Sequence, residues 1–117
     1  MKILFIINEA PYGSEKTYNA VWLAMTIQKE HSDAEVRIFL MGDAVTCAMP
    51  NQNTLKGYYN IERMFKTVIY RGGHIKVCGM CAKARGMAGV ELIEGVEFSS
   101  IGQMAQWVME SDKVLTF

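Results

Sequence analysis

The chain has 117 residues, of which 50% are hydrophobic and 21% charged, and its twelve basic residues balance twelve acidic ones. This length and composition predict one globular domain over residues 1–117 and exclude a disordered chain. Because no excess of positive charge is available to contact phosphates, we expect neither a nucleic-acid partner nor binding to an anionic membrane. The apolar runs are far too short to span a bilayer, and three cysteines, an odd number, are typical of a reducing cytoplasm.

The first half of the chain predicts two strands and one helix, followed by a long loop. In order, these are a strand over Ile3–Ile7, a helix capped by Ser14 that runs to about His31, a strand over Glu35–Met41 and a loop over Gly42–Tyr59. The helix carries an apolar stripe, predicted to face the core, that is formed by Tyr18, Val21, Trp22 and Met25.

The second half continues the alternation of strands and helices. A helix is predicted to begin after the cap Asn60 and to end at Gly72 and Gly73. The remaining elements are a strand over His74–Cys78, one or two helical turns within Gly79–Gly86, a strand over Val96–Phe98, a helix capped by Ser100 and a strand over Lys113–Phe117. This order predicts an α/β fold with a parallel sheet, helices on both faces, and the first and last strands side by side.

Functional sites in such folds lie beyond the carboxyl ends of the strands, which directs attention to three segments. After the first two strands, the candidates for weak ligand binding are Asn8, Tyr12, Gly13, Ser14, Gly42 and Asp43. The turn over Pro11–Ser14 has neither the glycine spacing of a dinucleotide site nor a Walker lysine, so a plain turn is favoured over an anion-binding loop. Asp43 is interpreted as a cap of the turn that follows it.

The third segment begins with Cys78-Gly79-Met80-Cys81, the motif with the clearest chemistry. Cys78 ends a strand, and Cys81 falls in what is predicted to be the first turn of a helix. The helix dipole, the second thiol and the nearby charges of Lys83 and Arg85 all favour a thiolate, so we expect the pKa of Cys78 to be lowered. Cys78 and Cys81 are therefore the candidate catalytic residues.

Several chemistries use this spacing of cysteines. Structural zinc needs four ligands, but only Cys47 and two separated histidines remain, so no metal is predicted. His74 lies about 13 Å from Cys78 along one strand, which excludes a Cys–His hydrolase within one subunit. The motif comes late in the chain and has no neighbouring Trp or Pro, unlike that of thioredoxin. A persulfide carrier and a dithiol redox protein remain open, and no cofactor motif is present.

Spaced segments along nearly the whole chain together resemble the DsrE/DsrF-like family of small sulfur-relay proteins, and most closely its YchN-type branch. The matching segments are Ala10–Glu15, Phe39–Val45, Gly57–Ile61, Cys78–Cys81 with Arg85-Gly86, and Asp112–Phe117. The resemblance implies a three-layer α/β/α fold with a five-stranded parallel sheet, assembled as a trimer or hexamer.

The same resemblance implies that Cys78 is the relay cysteine, which accepts sulfur as a persulfide, with Cys81 assisting or resolving. Sulfur donor and acceptor proteins would then be the partners, in the cytoplasm. A non-catalytic oligomeric binding or assembly module and a dithiol redox protein are the alternative functions.

Overall fold

A computed structural model describes residues 1–117. Its strands are β1 Lys2–Ile7, β2 Glu35–Leu40, β3 His74–Cys78, β4 Val96–Ser99 and β5 Lys113–Thr116. Its helices are α1 Lys16–Glu30, α2 Ile61–Tyr70, α3 Gly79–Ala84 and α4 Ile101–Glu110, with a 3₁₀ helix over Gly42–Ala48. None of these helices combines the length and the apolarity that crossing a membrane demands.

The five strands form one parallel sheet in the order β4-β3-β2-β1-β5. β1 lies between β2 and β5, which confirms that the first and last strands are neighbours. The chain moves outward from β1 to β4 and then returns to the other side of β1. Since crossovers between parallel strands are right-handed, this return places α4 on the face opposite α1 and α2. The predicted three-layer α/β/α fold is thus confirmed.

The central strands are continuous apolar runs because both faces of the sheet are covered. Leu4, Phe5 and Ile7 of β1 are completely buried, as are most residues of β2. Arg37 is the charged exception, and its guanidinium donates a hydrogen bond of 2.7 Å to Glu110 of α4. This contact compensates the buried charge and attaches α4 to the sheet.

The buried face of α1 differs from the prediction. It consists of small residues, Thr17, Ala20, Val21 and Ala24, whereas Trp22 is 58% exposed. Small side chains let α1 approach the sheet closely, and the aromatic residues lie at its margin, where Tyr18 stacks on Trp22 with ring centroids 5.7 Å apart. Ser14 is not the N-cap, which is Glu15; instead, Ser14 Oγ accepts the N–H of Lys16 at 3.4 Å.

The other predicted helix signals act as expected. Asn60 caps α2, because its Oδ1 accepts the N–H of Arg63 at 3.0 Å. Gly72 ends that helix in the left-handed conformation, with φ of 91°. Ser100 caps α4 by accepting the N–H of Gln103 at 3.2 Å.

The segment predicted as a loop over Gly42–Tyr59 begins instead with the 3₁₀ helix, whose Ala44, Val45, Cys47 and Ala48 are buried. Gln52 anchors the part that follows. Its Nε2 donates to the carbonyl of Cys47 and its Oε1 accepts the hydroxyl of Tyr12. The segment after β2 is therefore tied to the core, although it lacks a regular hydrophobic period.

Candidate functional site

The site begins where β3 runs directly into α3. Cys78 is both the last residue of the strand and the N-cap of the helix, and its Sγ accepts the N–H of Cys81 at 3.3 Å. A thiol thus takes the position that Ser, Thr, Asp or Asn usually occupies. Only 5% of Cys78 is exposed, whereas Cys81 is half-buried, and both thiols are free.

The surroundings of the two thiols affect their pKa values in opposite directions. The Cys78 side chain, the backbone N–H of Gly42 and the charge of Arg85 outweigh partial burial and lower the pKa of Cys81. Burial, followed by the neighbouring Cys81 thiol, raises the pKa of Cys78 and outweighs the backbone N–H groups of Cys81 and Met80. The expectation of a lowered pKa at Cys78 is therefore wrong.

An ion pair between the 3₁₀ helix and α3 borders the thiols. Asp43 Oδ1 accepts a hydrogen bond of 2.9 Å from Nε of Arg85 and lies 2.9 Å from Nη2 of the same guanidinium. Arg85 Nη1 also donates to the carbonyl oxygen of Cys81 at 3.0 Å. The interpretation of Asp43 as a cap is therefore wrong: its carboxylate orients Arg85 and caps no turn.

Gly42 lies where β1, the 3₁₀ helix and α3 meet. Its φ is 55°, and an added Cβ would lie 3.8 Å from the Asn8 carbonyl oxygen and 4.0 Å from Arg85 Nη2. Asn8 contributes only its backbone to this junction, since its Nδ2 donates to the carbonyl of Phe117 at 3.3 Å. The strand ends thus bring Asn8, Gly42, Asp43 and the two cysteines together, as the parallel topology requires.

The other three candidates have different surroundings, and none of their hydrogen bonds reaches Cys78 or Cys81. Tyr12 donates its hydroxyl to Gln52 at 2.6 Å and accepts the N–H of Ile61 at 3.1 Å, so it supports the start of α2. Gly13 has φ of 108° and open space around its Cα. Ser14 bonds only at the start of α1. No ligand role follows from these contacts.

The DsrE/DsrF-like family matches the chain over residues 1–117. The chain belongs to this family. It is 40% identical over 116 residues to Protein YchN of Escherichia coli strain K12, an alignment that covers 99% of this chain and 98% of that protein. It is also 41% identical over 117 residues to the Methanocaldococcus jannaschii protein MJ0989, with both chains fully covered.

Solved structures agree with this assignment. The crystal structure of E. coli YchN superposes with a TM-score of 0.94 at 40% identity, covering 99% of this chain and 98% of that one. The Methanobacterium thermoautotrophicum protein MTH1491 superposes with a TM-score of 0.73 at 16% identity, covering 99% and 98% of the two chains, and shares the fold alone.

Two features of this DsrE/DsrF-like domain escaped prediction from the sequence. Arg85 was noted only as a nearby charge, although its position four residues after Cys81 places both on one face of a helix. The complete burial of Cys47 is the second feature; its thiol donates to the carbonyl of Glu9 at 3.5 Å, and burial raises its pKa to about 12. No three His, Cys, Asp or Glu side chains are grouped in a way that would hold a metal ion.

Proposed function

We propose that this protein accepts a sulfane sulfur from a donor protein, holds it as a persulfide on Cys78 with the help of Cys81, and passes it to an acceptor protein. A thiolate of the pair attacks the outer sulfur of the donor's persulfide. A new S–S bond forms to the protein, the donor's S–S bond breaks, and the donor leaves as its thiolate with the electron pair. The transfer needs no oxidant or reductant.

The observation that carries this proposal is a pair of free thiols at the end of β3, joined by the hydrogen bond of 3.3 Å from the Cys81 N–H to Cys78 Sγ. The N–H of Cys81 also points at Cys78 Sγ, where it would stabilise the negative charge that Sγ gains when the outer sulfur passes to the acceptor's thiolate and the S–S bond to Cys78 breaks. The resemblance to sulfur-relay members of the family adds support, because their relay cysteine falls on Cys78. The cytoplasm is the expected location, since a reducing compartment keeps all three thiols free.

The test is incubation of the full-length protein with glutathione persulfide, followed by intact-mass and peptide mass spectrometry. We expect the mass of one added sulfur atom, found on Cys78 at equilibrium, and no addition to a Cys78→Ser/Cys81→Ser double variant. Cys47→Ser is the matched control and should acquire sulfur normally, because the Cys47 thiol hydrogen-bonds to the Glu9 carbonyl and to neither of the other cysteines. A wild-type protein that acquires no sulfur would contradict the proposal and favour a binding or assembly module.

The contact between the two thiols also favours a second candidate, dithiol redox exchange. In that reaction the pair forms a Cys78–Cys81 disulfide, and its two electrons and two protons reduce a substrate disulfide to two thiols. Equilibration in glutathione buffers distinguishes the candidates. A reversible disulfide at cytosolic potentials supports redox exchange, whereas a pair that stays reduced there and acquires sulfur supports the relay.

We also propose that the protein assembles with itself as a trimer or hexamer. The segment between the 3₁₀ helix and α2 presents apolar side chains to solvent, with Met49, Leu55 and Tyr58 exposed by 37%, 83% and 52%. Without net charge, the chains have little mutual repulsion to oppose burial of these groups. Light scattering at micromolar concentration should give the mass of a trimer or hexamer, and a mass of 13.2 kDa would contradict the proposal.

A further inference from the structure

We infer that Cys81 is the thiol that first takes sulfur from the donor, that Cys78 then receives it from Cys81, and that Arg85, held by Asp43, is the positioning residue for Cys81. This inference rests on the proposed function and adds an order to its two thiols. The donor's outer sulfur thus enters at the more accessible cysteine and is stored at the more buried one.

Cys81 is the more accessible of the two thiols. Thiol exchange requires the attacking sulfur to approach the donor's S–S bond directly, so the receiving sulfur must be reachable. Cys78, the last residue of β3, is 5% exposed. Cys81 is half-buried and follows Met80, which is 81% exposed. A donor protein therefore meets Cys81 first.

Groups from the neighbouring elements surround Cys81 and favour its thiolate. The Cys78 side chain of β3 and the backbone N–H of Gly42 in the 3₁₀ helix both lower the pKa of Cys81. Arg85, the residue that follows α3, donates from Nε to the Asp43 carboxylate and from Nη1 to the Cys81 carbonyl. These two anchors fix the guanidinium beside Cys81. Because the thiolate is the nucleophile, this arrangement favours attack by Cys81 at neutral pH.

The second transfer moves the sulfur from Cys81 to Cys78. Cys78 Sγ attacks the outer sulfur of the Cys81 persulfide anion, so an S–S bond to Cys78 forms and the S–S bond to Cys81 breaks. The Cys78 thiol proton moves to the transferred sulfur, and Cys81 leaves with the electron pair as its original thiolate. Atoms, charge and electrons balance within the pair. The negative charge thus returns to Cys81, beside the Arg85 guanidinium, and the thiol with the lower pKa is the better leaving group; both favour transfer from Cys81 to Cys78.

The order of transfer is tested by quenching the reaction of the full-length protein with glutathione persulfide at successive times and mapping the sulfur by peptide mass spectrometry. In the wild type we expect sulfur on Cys81 first and on Cys78 later. Cys81→Ser should acquire sulfur about tenfold more slowly, because only the buried thiol remains. Cys78→Ser should still acquire sulfur, and the sulfur should stay on Cys81 at every time. Cys81→Ala replaces the serine variant if the latter has an altered melting temperature.

The role of Arg85 is tested by the pH profile of alkylation of Cys81 by iodoacetamide, measured in the Cys78→Ser background, where serine still offers a hydroxyl donor. Arg85→Gln should move the midpoint to higher pH. Lys83→Gln is the matched control, because it removes the same charge from an exposed position of the same helix, and it should leave the midpoint unchanged. An unchanged melting temperature of Arg85→Gln shows that a shift of its midpoint does not come from loss of structure.

The outcomes separate this inference from the proposed function. If Cys78 takes sulfur first, or if Cys81→Ser reacts at the wild-type rate, the order is overturned while the persulfide relay stands. Equal shifts of the midpoint in the Arg85 and Lys83 variants overturn the positioning role. If neither cysteine acquires sulfur, the proposed function itself fails.

Discussion

Gln52 connects the segment after the 3₁₀ helix to that helix and to Tyr12. Its Nε2 donates hydrogen bonds of 2.9 Å to the carbonyls of Cys47 and Met49, and its Oε1 accepts the hydroxyl of Tyr12 at 2.6 Å. Replacing Gln52 by alanine removes all three bonds and leaves the hydroxyl proton of Tyr12 without its acceptor and the Cys47 carbonyl without its side-chain donor, both in a half-buried region. The substitution should therefore destabilise the fold.

The magnitude follows from the burial of these bonds. A hydrogen bond within a protein contributes about 1 kcal/mol net, and more when its loss leaves a buried group unpaired. The bonds to Tyr12 and Cys47 are partly buried and count in full, whereas the bond to Met49 is exposed and adds little. We expect Gln52→Ala to lower the free energy of unfolding by about 2 kcal/mol. In a domain of this size that corresponds to a drop of about 8 °C in Tm.

The assay is urea unfolding followed by circular dichroism, with all variants at one protein concentration because self-association would contribute to stability. The matched control is Gln106→Ala, which removes a single exposed hydrogen bond of 3.0 Å to Glu110. We expect that control to change the free energy of unfolding by less than ~0.5 kcal/mol. If Gln52→Ala also stays within ~0.5 kcal/mol of the wild type, the anchoring role of Gln52 is refuted.

Three further predictions concern other parts of the molecule. Cys47, completely buried and with its pKa raised to about 12, should resist iodoacetamide at pH 8 in the native protein and react on unfolding; rapid native alkylation would contradict its burial. Gly73→Ala should lower the free energy of unfolding by about 1–3 kcal/mol, since its Cβ would lie 2.8 Å from the backbone oxygen of Val68. Gly102→Ala, whose Cβ meets nothing closer than 3.7 Å, should not lower it in the same urea titration. Burial alone raises the pKa of Glu62, but hydrogen bonds from a backbone N–H and a lysine outweigh it and hold the pKa below 4.5. The stability that this lowered pKa contributes is present above the pKa of the unfolded chain and is lost as pH falls through the pKa of the folded protein. The difference in Tm between the wild type and Glu62→Gln should therefore be largest at neutral pH and disappear in acid. A difference independent of pH would contradict that linkage.

Local signals in the sequence determined most of the fold. The apolar run of β1, the caps Asn60 and Ser100, and the terminator Gly72 each act through residues that are close in the chain. Strand order then followed from general rules on crossovers, which is why the pairing of β1 with β5 was predictable. The cysteine motif at the end of β3 was visible for the same reason, because both thiols belong to one short segment.

Tertiary structure decided what depends on contacts between distant segments. Helical spacing grouped Trp22 with the core residues of α1, but the packing surface accepted only small side chains. Likewise, the spacing of Cys78 and Cys81 does not reveal which thiol ionises. Gly42 and Asp43 reach the site from another part of the chain, and their contacts with Cys81 and Arg85 form only when the strand ends meet. The pKa of a thiol is set by the burial and charges around it, and these exist only in the folded protein.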